Sequence, residues 1–161
     1  MTISVGSSLP DADLLQMGAN GPESVSLKAK LAGRKVVVFA LPGAFTGTCS
    51  TAHLPSFMRT APAFAAKGVA EIICIAVNDP FTLKAWGDTT GATAAGITLL
   101  GDADGSFTKA LGMDFTAAQL GLIGRSNRYA LVIDDGVITH ANLDEPGVCS
   151  KSTGEALLES M

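Results

Sequence analysis

The sequence predicts an α/β protein with a central mixed β-sheet flanked by helices, and three observations carry that reading. Runs rich in β-branched and apolar residues recur at Val36–Leu41, Glu71–Val77, Ile97–Leu100, Arg128–Ile133 and Val137–Asn142. Stretches that favour helix alternate with them, at Ser50–Lys67, Pro80–Thr90, Ser106–Leu111 and Thr153–Met161. Asp134-Asp135-Gly136 stands between the last two apolar runs and reads as a hairpin turn.

Taken in order, the first apolar run, with Val36-Val37-Val38-Phe39 at its heart, is a buried strand that hands over to the first helix through Leu41-Pro42-Gly43-Ala44-Phe45-Thr46-Gly47-Thr48-Cys49. Ile72-Ile73-Cys74-Ile75-Ala76-Val77 is apolar on both faces, so it belongs in the middle of a sheet covered by helices. The hairpin at Asp134–Gly136 makes the last two strands antiparallel, which is why the sheet is mixed. A sheet of this kind, with a reactive group beyond the carboxyl end of an early strand, predicts a thioredoxin-like fold.

At 161 residues the chain is read as a single domain, 1–161, with no linker or repeat. A chain of that length buries about 70% of the surface it exposes when unfolded, so it needs neither a disulfide nor a structural metal to fold. Hydrophobic residues make up 47% and charged residues 16%, a low charge density that suits apolar contact between subunits. Eleven Lys plus Arg against fifteen Asp plus Glu give a net charge of −4, with no basic stripe, which argues against a nucleic-acid partner. Met1–Gly6 lacks a positive segment followed by an apolar one, so the expectation is a cytoplasmic protein. From Val36 to Met58 no Asp, Glu, Lys or Arg appears, but Pro42, Gly43, Gly47 and Pro55 punctuate the run and its second half is polar, so no membrane span is expected. Three cysteines are an odd number and read as catalytic or core thiols in a reducing compartment.

The chemistry concentrates at Cys49. A cysteine at a helix N-terminus meets unpaired backbone N–H groups and the positive end of the dipole, which lower a thiol pKa from about 8.5 toward neutrality or below. Thr46, three positions earlier, stands where a dithiol motif would carry a second sulfur. An alcohol donates and accepts hydrogen bonds but forms no disulfide, so the site is suited to oxidation of one sulfur.

Pro42-x-x-x-Thr46-x-x-Cys49 resembles the peroxidatic signature of the peroxiredoxins. Pro42-Gly43-Ala44-Phe45-Thr46 with Cys49, His53-Leu54-Pro55, Val77-Asn78-Asp79-Pro80-Phe81 with Trp86-Gly87, and Arg128-Tyr129-Ala130 together resemble the type II, peroxiredoxin-5 subfamily over nearly the whole chain; Ala76 fills the place before Val77. The resemblance implies a thiol-dependent peroxidase that reduces hydrogen peroxide and small organic hydroperoxides without metal, haem or flavin. Cys49 is then the nucleophile that passes through sulfenic acid. Thr46 accepts a hydrogen bond from the peroxide, Arg128 stabilises thiolate and developing charge, and Pro42 walls the pocket without adding a donor. Backbone N–H groups near Thr48 and Cys49 complete the anion site. The same resemblance implies a homodimer, reduced by glutaredoxin and glutathione or by thioredoxin.

Two cysteines compete for the resolving role. Cys74 lies in the apolar run Ile72–Val77, where an inert core thiol is the plainer reading, although plant-like type II members carry a cysteine at similar spacing. Cys149 sits in the turn-forming Glu145-Pro146-Gly147-Val148-Cys149-Ser150, in a placement similar to the resolving cysteine of animal peroxiredoxin 5. Glutathione or glutaredoxin acting directly on Cys49 is the third route. His53 is read as a helix-surface or supporting residue rather than a zinc ligand, because His140 lies in another element. Trp86 and Phe81 are expected in the core or at an interface. Asp102-Ala103-Asp104-Gly105-Ser106 is rejected as a calcium loop, since its glycine comes too early and no Glu closes it.

Overall fold

The computed structural model describes residues 3–161, except the side chain of Cys49. Strands β1 (Asp13–Gly18) and β2 (Gly21–Ser26) form an N-terminal hairpin, followed by the short helix α1 (Leu27–Leu31). Strand β3 (Lys35–Ala40) leads through a loop and a π-helical turn (Cys49–His53) into α2 (Leu54–Ala66). Then come β4 (Glu71–Ala76), α3 (Pro80–Thr90), β5 (Ile97–Gly101) and α4 (Ser106–Ala110). Strands β6 (Asp114–Ala117) and β7 (Leu122–Ser126) pair apart from the main sheet, and β8 (Tyr129–Asp134), β9 (Val137–Leu143) and α5 (Gly154–Ser160) complete the fold.

The main sheet runs β2-β1-β5-β4-β3-β8-β9. β3 is parallel to β4 and β4 to β5, while β8 is antiparallel to both β3 and β9. This is the predicted mixed sheet, and its central strands are those with no polar face. Val36 through Ala40 are all fully buried, because alternate residues feed two different cores. Val37 and Phe39 pack with Phe57 and Phe64 of α2, Trp86 of α3 and Leu157 of α5. Val36 and Val38 pack with Leu27 and Leu31 of α1 and Phe107 of α4. Helices therefore cover both faces.

Local chemistry explains the sharper boundaries. Asp79 accepts the Thr82 N–H at 2.8 Å and Pro80 follows it, while Gly91 ends the helix at φ 82, so α3 spans the predicted residues. The β8–β9 turn has Asp135 at φ 48 and Gly136 at φ 80, with Asp134 facing Val137; positive φ at both central residues is what a tight two-residue hairpin demands. The rejected calcium loop is a helix anchor: the Asp102 carboxylate accepts the N–H groups of Phe107 and Thr108 at 3.2 and 2.8 Å. No helix among the described residues is long and apolar enough to cross a membrane.

Candidate active site

Pro42, Thr46 and Cys49 lie where β3 ends and the π-helical turn begins, beyond the carboxyl end of a central strand. The helical winding starts just ahead of Cys49, with Ser50 N–H donating to the Thr46 carbonyl at 3.1 Å. Cys49 thus occupies a first turn, and the wide turn it opens is a local insertion of the kind that concentrates at functional sites. Trp86 reaches across from α3 to donate its indole N–H to Ser50 Oγ at 2.9 Å, tying that turn to the core.

The loop between β3 and the turn is held from three directions. Arg125 of β7 donates from Nη1 to the Pro42 carbonyl at 3.0 Å. Asn78, just past β4, accepts the Ala44 N–H on Oδ1 at 2.9 Å. Thr46 donates its own hydroxyl to the Gly43 carbonyl at 2.8 Å. Gly43, at φ +155, is the residue that permits this approach: a Cβ there would collide with Arg125 Nη1 and come within 3.3 Å of Asn78 Oδ1. Phe45 adopts φ 63, a left-handed conformation uncommon for a bulky residue, and leaves its ring exposed.

Arg128 precedes β8 and is buried, at 7% exposure. It shares a small cavity of about 30 Å³ with Pro42, Phe115, Asn127 and the Glu145–Gly147 segment. Its Nη1 donates to His53 Nδ1 at 3.4 Å, whereas its Nε has no hydrogen-bond partner among the described residues. A cationic donor this buried and unspent has the chemistry to hold an anion.

His53 is not on a helix surface, the first of the two places the sequence allowed it, but in a supporting position behind Arg128. It is fully buried against Phe39 and Phe57, with ring centroids 5.2 and 5.7 Å away, and donates from Nε2 to the Ser152 carbonyl at 2.9 Å. Burial, helped by the neighbouring Arg128 charge, pulls its pKa down to about 4 against the opposing pull of the Ser152 carbonyl and of Asp144. At neutral pH it is therefore an uncharged acceptor that orients Arg128. Among the described residues no three His, Cys, Asp or Glu side chains converge as metal ligands.

The two other cysteines part company. Cys74 stands in the middle of β4 opposite Phe39, 1% exposed and within the core. Cys149 is half-buried in the segment between β9 and α5, whose Glu145–Gly147 part borders Arg128 and Pro42. That segment is wound around Asp144, whose carboxylate accepts the N–H groups of Ser150, Lys151 and Ser152 and the hydroxyls of Ser150 and Ser152. These bonds outweigh burial and hold its pKa down at about 2. Trp86 is in the core, and Phe81 is exposed, so of the two expected places only an interface fits it. Sequence reasoning assigned no role to Asn78, Arg125 or Asp144. Asn78 lay inside the Val77–Phe81 motif, but nothing local to Arg125 announces its partner Pro42 in a distant loop, and nothing in the residues beside Asp144 announces the turn of Ser150–Ser152 around it.

Comparison with known proteins agrees with this geometry. Residues 4–158 match the Redoxin family. The chain is 45% identical over 164 residues to the chloroplastic peroxiredoxin-2E-2 of Oryza sativa subsp. japonica, covering 99% of this chain and 73% of that one. Its fold superposes on reduced Prx3 of Vibrio vulnificus, crystallised with H2O2, with a TM-score of 0.91, 44% identity and 99% of both chains covered. Against peroxiredoxin 5 of Alvinella pompejana the TM-score is 0.85 at 35% identity, with 98% of this chain and 97% of the other covered. The chain therefore belongs to the Redoxin family as a type II, peroxiredoxin-5-like peroxiredoxin with the thioredoxin fold, and it is a thiol-dependent peroxidase.

Proposed function

We propose that this peroxidase works through Cys49, with Thr46, Pro42 and Arg128 as the residues that bind and polarise the hydroperoxide. The observation that carries the reading is Arg128: a buried guanidinium beside Pro42 whose Nε is unspent among the described residues. The Cys49 thiolate attacks one peroxide oxygen, the O–O bond breaks, and the departing alkoxide or hydroxide takes a proton to leave as alcohol or water. Cys49 becomes sulfenic acid. Thr46 has committed its only proton to Gly43, so it offers the substrate lone pairs alone and accepts the peroxide O–H. Arg128 stabilises the negative charge as it moves from sulfur to oxygen. Mixing the reduced protein with substoichiometric H2O2 in a stopped-flow instrument consumes the peroxide within the first turnover, and Cys49→Ser abolishes this. Undiminished consumption by Cys49→Ser would reject the assignment.

The sulfenic acid is resolved by Cys149 rather than Cys74. Cys149 lies in a surface segment that borders the Arg128 cavity, whereas Cys74 is locked into a central strand. The Cys149 thiol displaces water from the sulfenic acid to form a Cys49–Cys149 disulfide, which thioredoxin, or glutaredoxin with glutathione, returns to two thiols. Peptide mapping under non-reducing conditions after one equivalent of peroxide tests this pairing. A Cys49–Cys74 bridge, or a lasting sulfenic acid trapped by dimedone, would overturn it.

A second copy of the chain covers the rim of the site. Phe45, on the active-site loop itself, and Phe81, Ile123 and Val148, in segments that meet that loop through Asn78, Arg125 or the Arg128 cavity, are exposed by 56%, 64%, 63% and 44%. Phe45→Glu converts the dimer to monomer in analytical ultracentrifugation; a monomeric parent chain would dismiss the idea. Its compartment is the cytoplasm, whose reducing poise suits an odd number of cysteines that serve as catalytic or core thiols. Fractionation of cells expressing the protein checks that placement.

A further inference from the structure

The peptide group between Gly43 and Ala44 is held at both ends. Its N–H donates to Asn78 Oδ1 at 2.9 Å, and its carbonyl accepts the Thr46 hydroxyl proton at 2.8 Å. Because a trans peptide is planar, with N–H and C=O on opposite sides, fixing the one direction fixes the other. We propose that Asn78 is a positioning residue for peroxide reduction: through this single peptide plane it aims the Thr46 hydroxyl and so sets where its lone pairs meet the substrate. The inference deepens the peroxidase reading and rests on it.

A threonine hydroxyl has one proton and two lone pairs, and it turns to suit its surroundings. With the proton given to Gly43, the lone pairs have a definite direction, and a peroxide O–H finds an acceptor that needs no reorganisation. With the plane released, the Gly43 carbonyl swings and the proton follows it or frees itself, so the hydroxyl loses its single role. Asn78 is itself placed with care. Its backbone carbonyl passes so close to Gly101 that a Cβ there would lie 2.6 Å away. At its other end, Gly43 leaves room for Oδ1 where a Cβ would sit at 3.3 Å. Arg125 fixes the preceding peptide through the Pro42 carbonyl, so Asn78 holds the one plane of this turn that carries the hydroxyl.

A merely structural role, satisfying one amide, would appear as lost stability alone. The test therefore measures two properties of Cys49 in the full reduced chain: its second-order rate with H2O2, and its ionisation, read from the pH dependence of alkylation. Asn78→Ala is expected to slow the peroxide reaction roughly tenfold or more while leaving the alkylation midpoint in place. Asn78→Asp keeps an acceptor oxygen at the same distance along the side chain and recovers most of the rate. In a Thr46→Val background, Asn78→Ala has little further effect, because no hydroxyl remains to be aimed. Asn78→Ser draws the acceptor oxygen back by one bond, out of reach of the Ala44 N–H, and serves for the same comparison if the alanine variant does not fold. A parental rate in Asn78→Ala or Asn78→Ser, or a loss of equal size in the Thr46→Val background, overturns the inference. An unsubstituted chain that leaves peroxide unconsumed instead defeats the peroxidase reading beneath it.

Discussion

Acidification from pH 7.5 to 4.5 removes stability chiefly through one side chain, His53. Its ring is fully buried, with Nε2 donating to the Ser152 carbonyl and Nδ1 accepting from Arg128. Burial above all, then the Arg128 charge, lowers its pKa from 6.5 to about 4. In the unfolded chain the imidazole titrates near 6.5, so between these two values the unfolded state binds a proton that the native state refuses. His53 thus costs nothing above pH 6.5, and the native state loses ground steadily as the pH falls toward 4. The gap of about 2.5 pH units, at 1.36 kcal/mol each, amounts to about 3 kcal/mol. Against a typical total of roughly 5–15 kcal/mol that loss is large. Asp144 does not confuse the measurement: its pKa falls from 3.8 to about 2, so its stabilisation is present above pH 3.8 and disappears only below that range. Urea unfolding of the reduced protein at pH 7.5, 6.5, 5.5 and 4.5 should show a falling midpoint below pH 6.5, and His53→Gln, which cannot be protonated, should flatten that fall. An equal fall in His53→Gln would refute the assignment of the effect to this imidazole.

Other substitutions probe the frame around the site. Gly43→Ala places a methyl against Arg125 Nη1 at a backbone angle that disfavours it, and should lower the peroxide rate constant about a hundredfold by displacing the Thr46 loop, measured by stopped flow. Asp144→Ala leaves three backbone N–H groups without their carboxylate; roughly 2–4 kcal/mol of stability should vanish in urea unfolding, and limited proteolysis should cut within residues 145–151 far faster. Trp86→Phe keeps most of the ring's packing but loses the bond to Ser50, so about 1 kcal/mol and the slow hydrogen exchange of the Cys49–His53 turn should be lost together. Cys74→Ala opens a small cavity in the sheet, at about 1–2 kcal/mol, and should leave the first peroxide turnover unchanged; a slowed turnover would return Cys74 to the chemistry.

Central elements were legible because their signals are local. Val36–Phe39 and Ile72–Ala76 have no polar face and stand in the middle of the sheet, and Asp135-Gly136 made the turn its residue types demand. The N-terminal hairpin was not legible. β2, Gly-Pro-Glu-Ser-Val-Ser, is an exposed edge strand with almost no apolar pattern, and it forms because β1 offers it a hydrogen-bonding edge. The β6–β7 hairpin escaped because it is short, interrupted by Gly124 and only half-buried.

By itself the sequence determined the α/β class, the order of the central strands and helices, and the grouping of Pro42, Thr46 and Cys49 within one strand-to-helix connection. Those properties depend on periodicity and on residues a few positions apart, where chain connectivity alone enforces proximity. Only the tertiary structure decided that Arg128 and His53 meet, that Arg125 and Asn78 clamp the loop, and that Asp144 gathers the Cys149 segment. Each of those contacts except Asp144's joins residues from different elements, and an isolated Arg, Asn or His looks the same in sequence whether it is solvated or buried. Burial is what turns such side chains into obligatory partners, because a polar group removed from water must find its hydrogen bond inside the fold.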